Sequence, residues 1–167
     1  RQRERGRRER LNATRAKVGV AKIRAYRPFP TEAFAAALPK TAKKITVLDR
    51  TKDAGSLGEP LYLDVVAALD EMKIKAEVLC GRYGLGSKEF NPTMVNAVYE
   101  NMQAKAPKNH FAVGIVDDLT GNHLPVTKKI DAAPAGASPS KFYGLGSGGH
   151  VGSNQDSQKT IGNHAEK

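Results

Sequence analysis

Four short apolar runs, separated by helix-length segments, constrain this chain more than any other feature. They are VGVAKIR at 18–24, KITVLD at 44–49, KAEVLCG at 75–81 and HFAVGIV at 110–116. Runs of this length, rich in β-branched residues, read as strands. The first intervening segment, TEAFAAALP, has Thr31 to cap a helix and Pro39 to stop it. In the second, Pro60 suits a first helical turn, and Leu61, Val65, Ala68, Leu69 and Met72 fall on one helical face. In the third, Asn91 is a cap and Pro92 a first-turn residue, and Val95, Val98, Tyr99 and Met102 form the apolar stripe. Strands joined through helices need crossovers, and crossovers make neighbouring strands parallel. The predicted class is therefore α/β, an open and mostly parallel sheet with crossover helices, occupying residues 15–126.

Length and charge bound what surrounds that domain. A chain of 167 residues buries one good core plus extensions. No apolar run approaches the ~20 residues that cross a bilayer. The net charge of +10 invites a nucleic-acid reading, yet residues 1–17 alone hold eight Arg or Lys against two Glu. The other 150 residues carry 19 basic and 15 acidic groups, and no aromatic residue precedes Tyr26 to stack bases beside the basic head. Residues 1–14 therefore read as a frayed or disordered basic head, and a nucleic-acid partner is not expected. Ala, Pro, Gly and Ser dominate residues 127–140, which read as a linker. Residues 141–167 pass from KFY through glycines to Ser153-Asn154, a cap for a closing helix, and read as the truncated start of a second domain.

In open parallel sheets ligands collect outside the carboxyl ends of the strands, where the crossover helices begin. The rim residues there are Tyr26 and Arg27, then Asp49, Arg50, Thr51 and Lys52, then Arg82 and Tyr83, then Asp117 and Asp118. They make either an anion- or thiazolium-binding edge or a set of ion pairs that docks a neighbouring domain, and the second is the favoured reading. No nucleophile lies beside a base. His110, His123, His150 and His164 have no metal-ligand spacing, and the one cysteine, Cys80, cannot hold a metal or iron–sulfur cluster alone. Cys80 reads as a small buried residue. Of two glycine clusters, GRYGLGSKEF at 81–90 reads as a tight connection. GLGSGG at 144–149 matches a phosphate-cradling turn that leads into a helix, although no acidic residue follows at dinucleotide spacing.

Long blocks of the sequence resemble one family. KITVLDRTKDAGSLGEPLYLDVVAAL at 44–69, GRYGLGSKEFNPTMVNAVYENM at 81–102 and PKNHFAVGIVDDLTGNHLPV at 107–126 look like pyruvate:ferredoxin (flavodoxin) oxidoreductase. LNATRAKVGVAKIRAYRPFP at 11–30 is similar to the entry into that family's second domain, and residues 141–162 resemble the start of its third, CoA-binding domain. The resemblance implies a fold similar to the C-terminal domain of transketolase, within a homodimeric multidomain enzyme. That enzyme oxidatively decarboxylates pyruvate with thiamine diphosphate, passes electrons through iron–sulfur clusters to ferredoxin or flavodoxin, and forms acetyl-CoA. It implies a cytoplasmic enzyme, or one of an organelle matrix in a eukaryote, without membrane partners.

The same resemblance implies that this segment is scaffold and interface, with thiamine diphosphate and cluster ligands in other domains of the parent and no catalytic residue here. The CoA contacts it transfers are Gly146, Ser147, Gly149, Val151, Gly152 and Asn154. Where the family reads Asp, Thr and Lys, this chain has Gly148, His150 and Gln155. The expected interface residues are Arg27, Asp49, Arg50, Arg82, Asp117 and Asp118. The chain is thus expected to be a fragment that is inactive in isolation. The alternatives are a free-standing module binding a phosphorylated ligand such as CoA or a nucleotide and, less favoured, a basic nucleic-acid binder.

Overall fold

The computed structural model describes residues 17–116, 119–127, 130 and 150–164. The chain divides into two compact units, residues 1–132 and 133–167. In the first unit the order is α1 (Thr31–Ala37), β1 (Lys44–Asp49), α2 (Pro60–Glu71), β2 (Glu77–Tyr83), α3 (Pro92–Gln103) and β3 (Phe111–Val113). The three strands form one parallel sheet in the order β1-β2-β3. Asp49 stands in register with Arg82, and Gly81 with Phe111.

Alternation along β1 sends successive side chains to opposite faces. Val47 and Ile45 join the core of α1 and α2, with Phe34, Val65, Ala68 and Leu69. Leu48 packs instead with Ala97 and Val98 of α3, Phe111, Val113 and Leu124. Each such buried aliphatic or aromatic side chain contributes roughly 1.5–3 kcal/mol. Gly81 allows the second core to close, because a Cβ there would sit 2.5 Å from the fully buried Phe111 ring.

The sheet has three strands among the described residues where the sequence pattern predicts four. Residues 18–24 take no strand conformation, and only Val18 and Ile23 are half-buried. β-branched composition reports fitness for a half-buried pleated surface rather than a backbone preference. This run interrupts its apolar residues with Gly19 and Lys22, and the Gly19 carbonyl accepts from the Tyr99 hydroxyl at 3.1 Å. β2 begins two residues later than expected and extends to Tyr83, and β3 stops at Val113 because Gly114 turns with φ of 74°.

The helices also depart in detail. Thr31 is the first helical residue rather than a cap, with Pro30 in the cap position and no side-chain cap bond. Val65, Ala68 and Leu69 form the buried face of α2, whereas Met72 is 40% exposed because the chain leaves the helix there and reverses at Lys73. In α3 the Asn91 side chain accepts the Met94 N–H as expected, but the buried face is Ala97, Val98 and Asn101. An asparagine occupies a core position because its amide is consumed: Nδ2 donates to the Lys108 carbonyl and Oδ1 accepts the Lys108 N–H, both at 2.9 Å.

In the second unit α4 spans His150–His164. Ser153 and Asn154, expected as its cap, lie inside it. Helical continuation through Gly152 costs only about 1 kcal/mol relative to alanine. No helix among the described residues is long and apolar enough to cross a membrane.

Candidate functional site

The carboxyl end of the sheet is filled by its own charged groups. α2 begins with Pro60, which has no N–H, so Leu61 and Tyr62 present the first amides of that helix. Those amides define where an external anion would sit. Asp49, the last residue of β1 and only 7% exposed, takes that place: Oδ1 accepts from Leu61 and Oδ2 from Tyr62, both at 3.2 Å. Burial pushes the Asp49 carboxyl up, against the two amide bonds that favour its ionised form.

Glu59, at the cap position of α2, is 5% exposed. Its Oε2 accepts the Asp53 N–H at 2.7 Å, which closes the connection from β1 to α2. Its Oε1 meets Arg82 Nη1 at 3.4 Å, and the other end of that guanidinium donates to the His110 carbonyl at 3.1 Å. Arg50 Nε donates to the carbonyl of Gly84, a left-handed residue at the end of β2, at 3.2 Å. The half-buried Arg82 and two buried carboxylates thus fasten the β1–α2 connection to α2, to β2 and to the approach of β3.

Arg27 lies apart from this group. It pairs with Asp64 of α2 at 2.7 Å and lies over the Tyr26 ring at 4.1 Å. Burial pushes the Asp64 carboxyl up, but its bonds to Arg27 and Tyr26 outweigh that and hold it below the usual range. Burial and the bond to Asp64 push the Tyr26 phenol up. Tyr83, expected on the rim, packs instead on Phe90 with ring centroids 4.7 Å apart. Thr51 and Lys52 are exposed, and Asp117 and Asp118 lie outside the described residues.

Among the described residues this arrangement offers no reacting pair. Cys80 is fully buried, and burial pushes its thiol up, away from nucleophilic use. The His110 ring stands edge-on to Tyr62 with centroids 5.6 Å apart. Among the described residues no group of three or more His, Cys, Asp or Glu side chains could hold a metal ion. A depression of about 510 Å³, open to solvent, lies at the opposite end of the strands between Lys43, Ile74, Lys75 and Glu77. The glycine turn divides: Gly146, Ser147 and Gly149 lie outside the described residues, and Val151, Gly152 and Asn154 fall in the first turns of α4. Gly152 has open space around it.

Glu59 at this end of the sheet and Asn109 at the approach of β3 are absent from the sequence reading. Asn109 Oδ1 accepts the Cys80 N–H at 2.7 Å and the His110 N–H at 2.9 Å, joining β2 to the approach of β3. The signal for Glu59 was an acidic residue immediately before a helix-starting proline.

Comparison with known proteins agrees with the architecture. Residues 7–95 match the family model for pyruvate:ferredoxin oxidoreductase core domain II. The chain is 54% identical over 150 residues to the pyruvate:ferredoxin oxidoreductase of Moorella thermoacetica, covering 90% of this chain and 13% of that protein. It is 51% identical over 155 residues to the pyruvate-flavodoxin oxidoreductase of Trichormus variabilis, covering 91% and 13%. It is also 44% identical over 153 residues to a mitochondrial pyruvate dehydrogenase [NADP(+)] of Euglena gracilis, covering 90% and 8%. The chain therefore spans about an eighth of the length of the first two relatives and matches one domain of them. With a family model matched over more than half its residues, the chain belongs to the pyruvate:ferredoxin oxidoreductase core domain II family.

Proposed function

We propose that this chain serves as the second domain of a pyruvate:ferredoxin or pyruvate:flavodoxin oxidoreductase, as scaffold and interface, with no reacting group of its own. The reaction of the whole enzyme is pyruvate plus CoA to acetyl-CoA and CO2, with electrons passed to ferredoxin or flavodoxin. One observation carries the scaffold reading: the helix amides that would receive a ligand at the carboxyl end of the sheet are taken by Asp49 itself. A site already occupied by a fixed carboxylate repels a phosphate or a carboxylate substrate.

Thiamine diphosphate supplies carbanion chemistry when bound, and iron–sulfur clusters supply electron transfer. A cluster takes about four thiolates, and this chain offers one buried cysteine, so the donor set does not fit. Both groups belong, on this reading, to other domains of a homodimeric parent in the cytoplasm or an organelle matrix. Gly146, Ser147, Gly149, Val151, Gly152 and Asn154 are assigned to part of a CoA-binding segment. What supports that assignment is the start of α4 at His150, directly after the glycine run, since a helix N-terminus favours phosphate.

The test is release of labelled CO2 from carboxyl-labelled pyruvate by the purified chain supplied with thiamine diphosphate, magnesium, CoA and an electron acceptor. No release above the protein-free blank is expected. Turnover by the chain alone defeats the scaffold reading.

A further inference from the structure

Leu57 is 89% exposed in the connection between β1 and α2, residues 50–59. A lone exposed leucine is ordinary; the mounting of this one is not. Glu59 takes the Asp53 N–H at 2.7 Å, and the Ser56 N–H meets the Asp53 carbonyl at 3.3 Å, so the loop is closed on both sides of Gly55. Glu59 is also tied to Arg82 of β2. Gly58 lies against the Tyr62 ring, leaving no room for a side chain there. A buried carboxylate is costly unless its bonds are used, and here they hold the shape of a surface loop that presents an apolar tip.

Such a loop loses little conformational freedom on docking, and preorganisation of this kind converts buried area into affinity. The connection 50–59 carries two basic and two acidic residues, Arg50, Lys52, Asp53 and Glu59, a balance that suits an apolar recess rather than a strongly charged surface. The connection after β3, at the same end of the sheet, carries Val116 with 76% exposure. In the Moorella and Trichormus relatives about seven-eighths of the polypeptide lies outside the matched segment. We propose that Leu57 is a docking anchor that seats in an apolar recess of another segment of the same, longer polypeptide. This rests on the reading of the chain as one domain of a larger oxidoreductase.

The test places this chain in the intact Moorella protein in exchange for the segment it matches, with photoreactive benzoylphenylalanine at position 57 and, as control, at position 73 beyond the opposite end of α2. Illumination is expected to join position 57 to peptides outside the exchanged segment of the same polypeptide, at roughly tenfold the yield from position 73. Links to a second copy, links only within the exchanged segment, or equal yields from both positions overturn the anchor. Independently, hydrogen exchange on the 167-residue chain should show the Asp53 amide slowed about tenfold relative to the Glu59→Ala variant; equal rates remove the preshaped loop and the proposal with it. Decarboxylation by the isolated chain bears on the enclosing reading, whereas these two measurements bear on the contact.

Discussion

Replacing Asp49 by alanine isolates the group that occupies the carboxyl end of the sheet. The substitution removes both acceptors from the Leu61 and Tyr62 amides. Each hydrogen bond contributes about 0.5–1.5 kcal/mol net, so Asp49→Ala should destabilise the domain by roughly 1–3 kcal/mol. The sign with pH is the reverse of that for a carboxylate in an ion pair. Burial raises the folded pKa of Asp49 above its unfolded value, which is about 3.9. The folded state then holds the proton more tightly, so the wild type gains stability as pH falls through the raised value. That gain is complete below about 3.9. The gap between wild type and Asp49→Ala should therefore widen between pH 7 and pH 4. Urea unfolding at both pH values measures it, with an unchanged denaturant slope as the check that two-state behaviour survives. A gap that narrows on acidification, or an alanine variant within about 0.3 kcal/mol of wild type at both pH values, refutes the reasoning.

Two further substitutions test the packing around this end. Gly81→Ala puts a Cβ 2.5 Å from the Phe111 ring and 2.8 Å from the Leu48 side chain, both locked in the second core. The overpacking should cost about 1–3 kcal/mol and lower the thermal midpoint measured by circular dichroism. Asn101→Ala leaves the Lys108 N–H and carbonyl without their side-chain partners, for a loss of about 1–3 kcal/mol in chemical denaturation. Asn101→Asp keeps the acceptor for the Lys108 N–H and offers the Lys108 carbonyl a donor only when the new carboxyl is protonated, so it should fall between alanine and wild type at a pH where that carboxyl is protonated.

Where two local signals agreed, the sequence was a sound guide to the fold. Residues 44–49 combine β-branched composition with a length suited to a strand, and Asn91-Pro92 supplies both a cap and a fixed φ, so β1 and the start of α3 appear at the expected residues. Composition without a partner misled. The run at 18–24 has strand-like residues, but pairing is a tertiary event, and only two of its side chains reach half-burial. Apolar periodicity alone places the α3 stripe one step away from the buried face of Ala97, Val98 and Asn101. Asn101 is buried through its amide bonds to Lys108, a connection seven residues away that periodicity cannot register.

The candidate site was legible as a location more than as a set of contacts. The rule that loops after parallel strands gather at one end singled out Asp49, Arg50 and Arg82, and all three make bonds there. The rule says nothing about what satisfies them. Glu59 was hidden because an acidic residue before a helix reads as a generic cap. Its cap position carries no side-chain cap bond, and its carboxylate turns back to Asp53 and across to Arg82. That geometry separates a ligand crevice from a closed joint. A crevice leaves helix amides and guanidinium groups facing open space, whereas here the amides of α2 meet Asp49 and the guanidinium of Arg82 meets Glu59 and the His110 carbonyl. Where Asp49, Glu59 and Arg82 satisfy this end of the sheet from within, the groups left for a partner are those the rim displays, and the exposed large hydrophobic residue on the β1–α2 connection is Leu57.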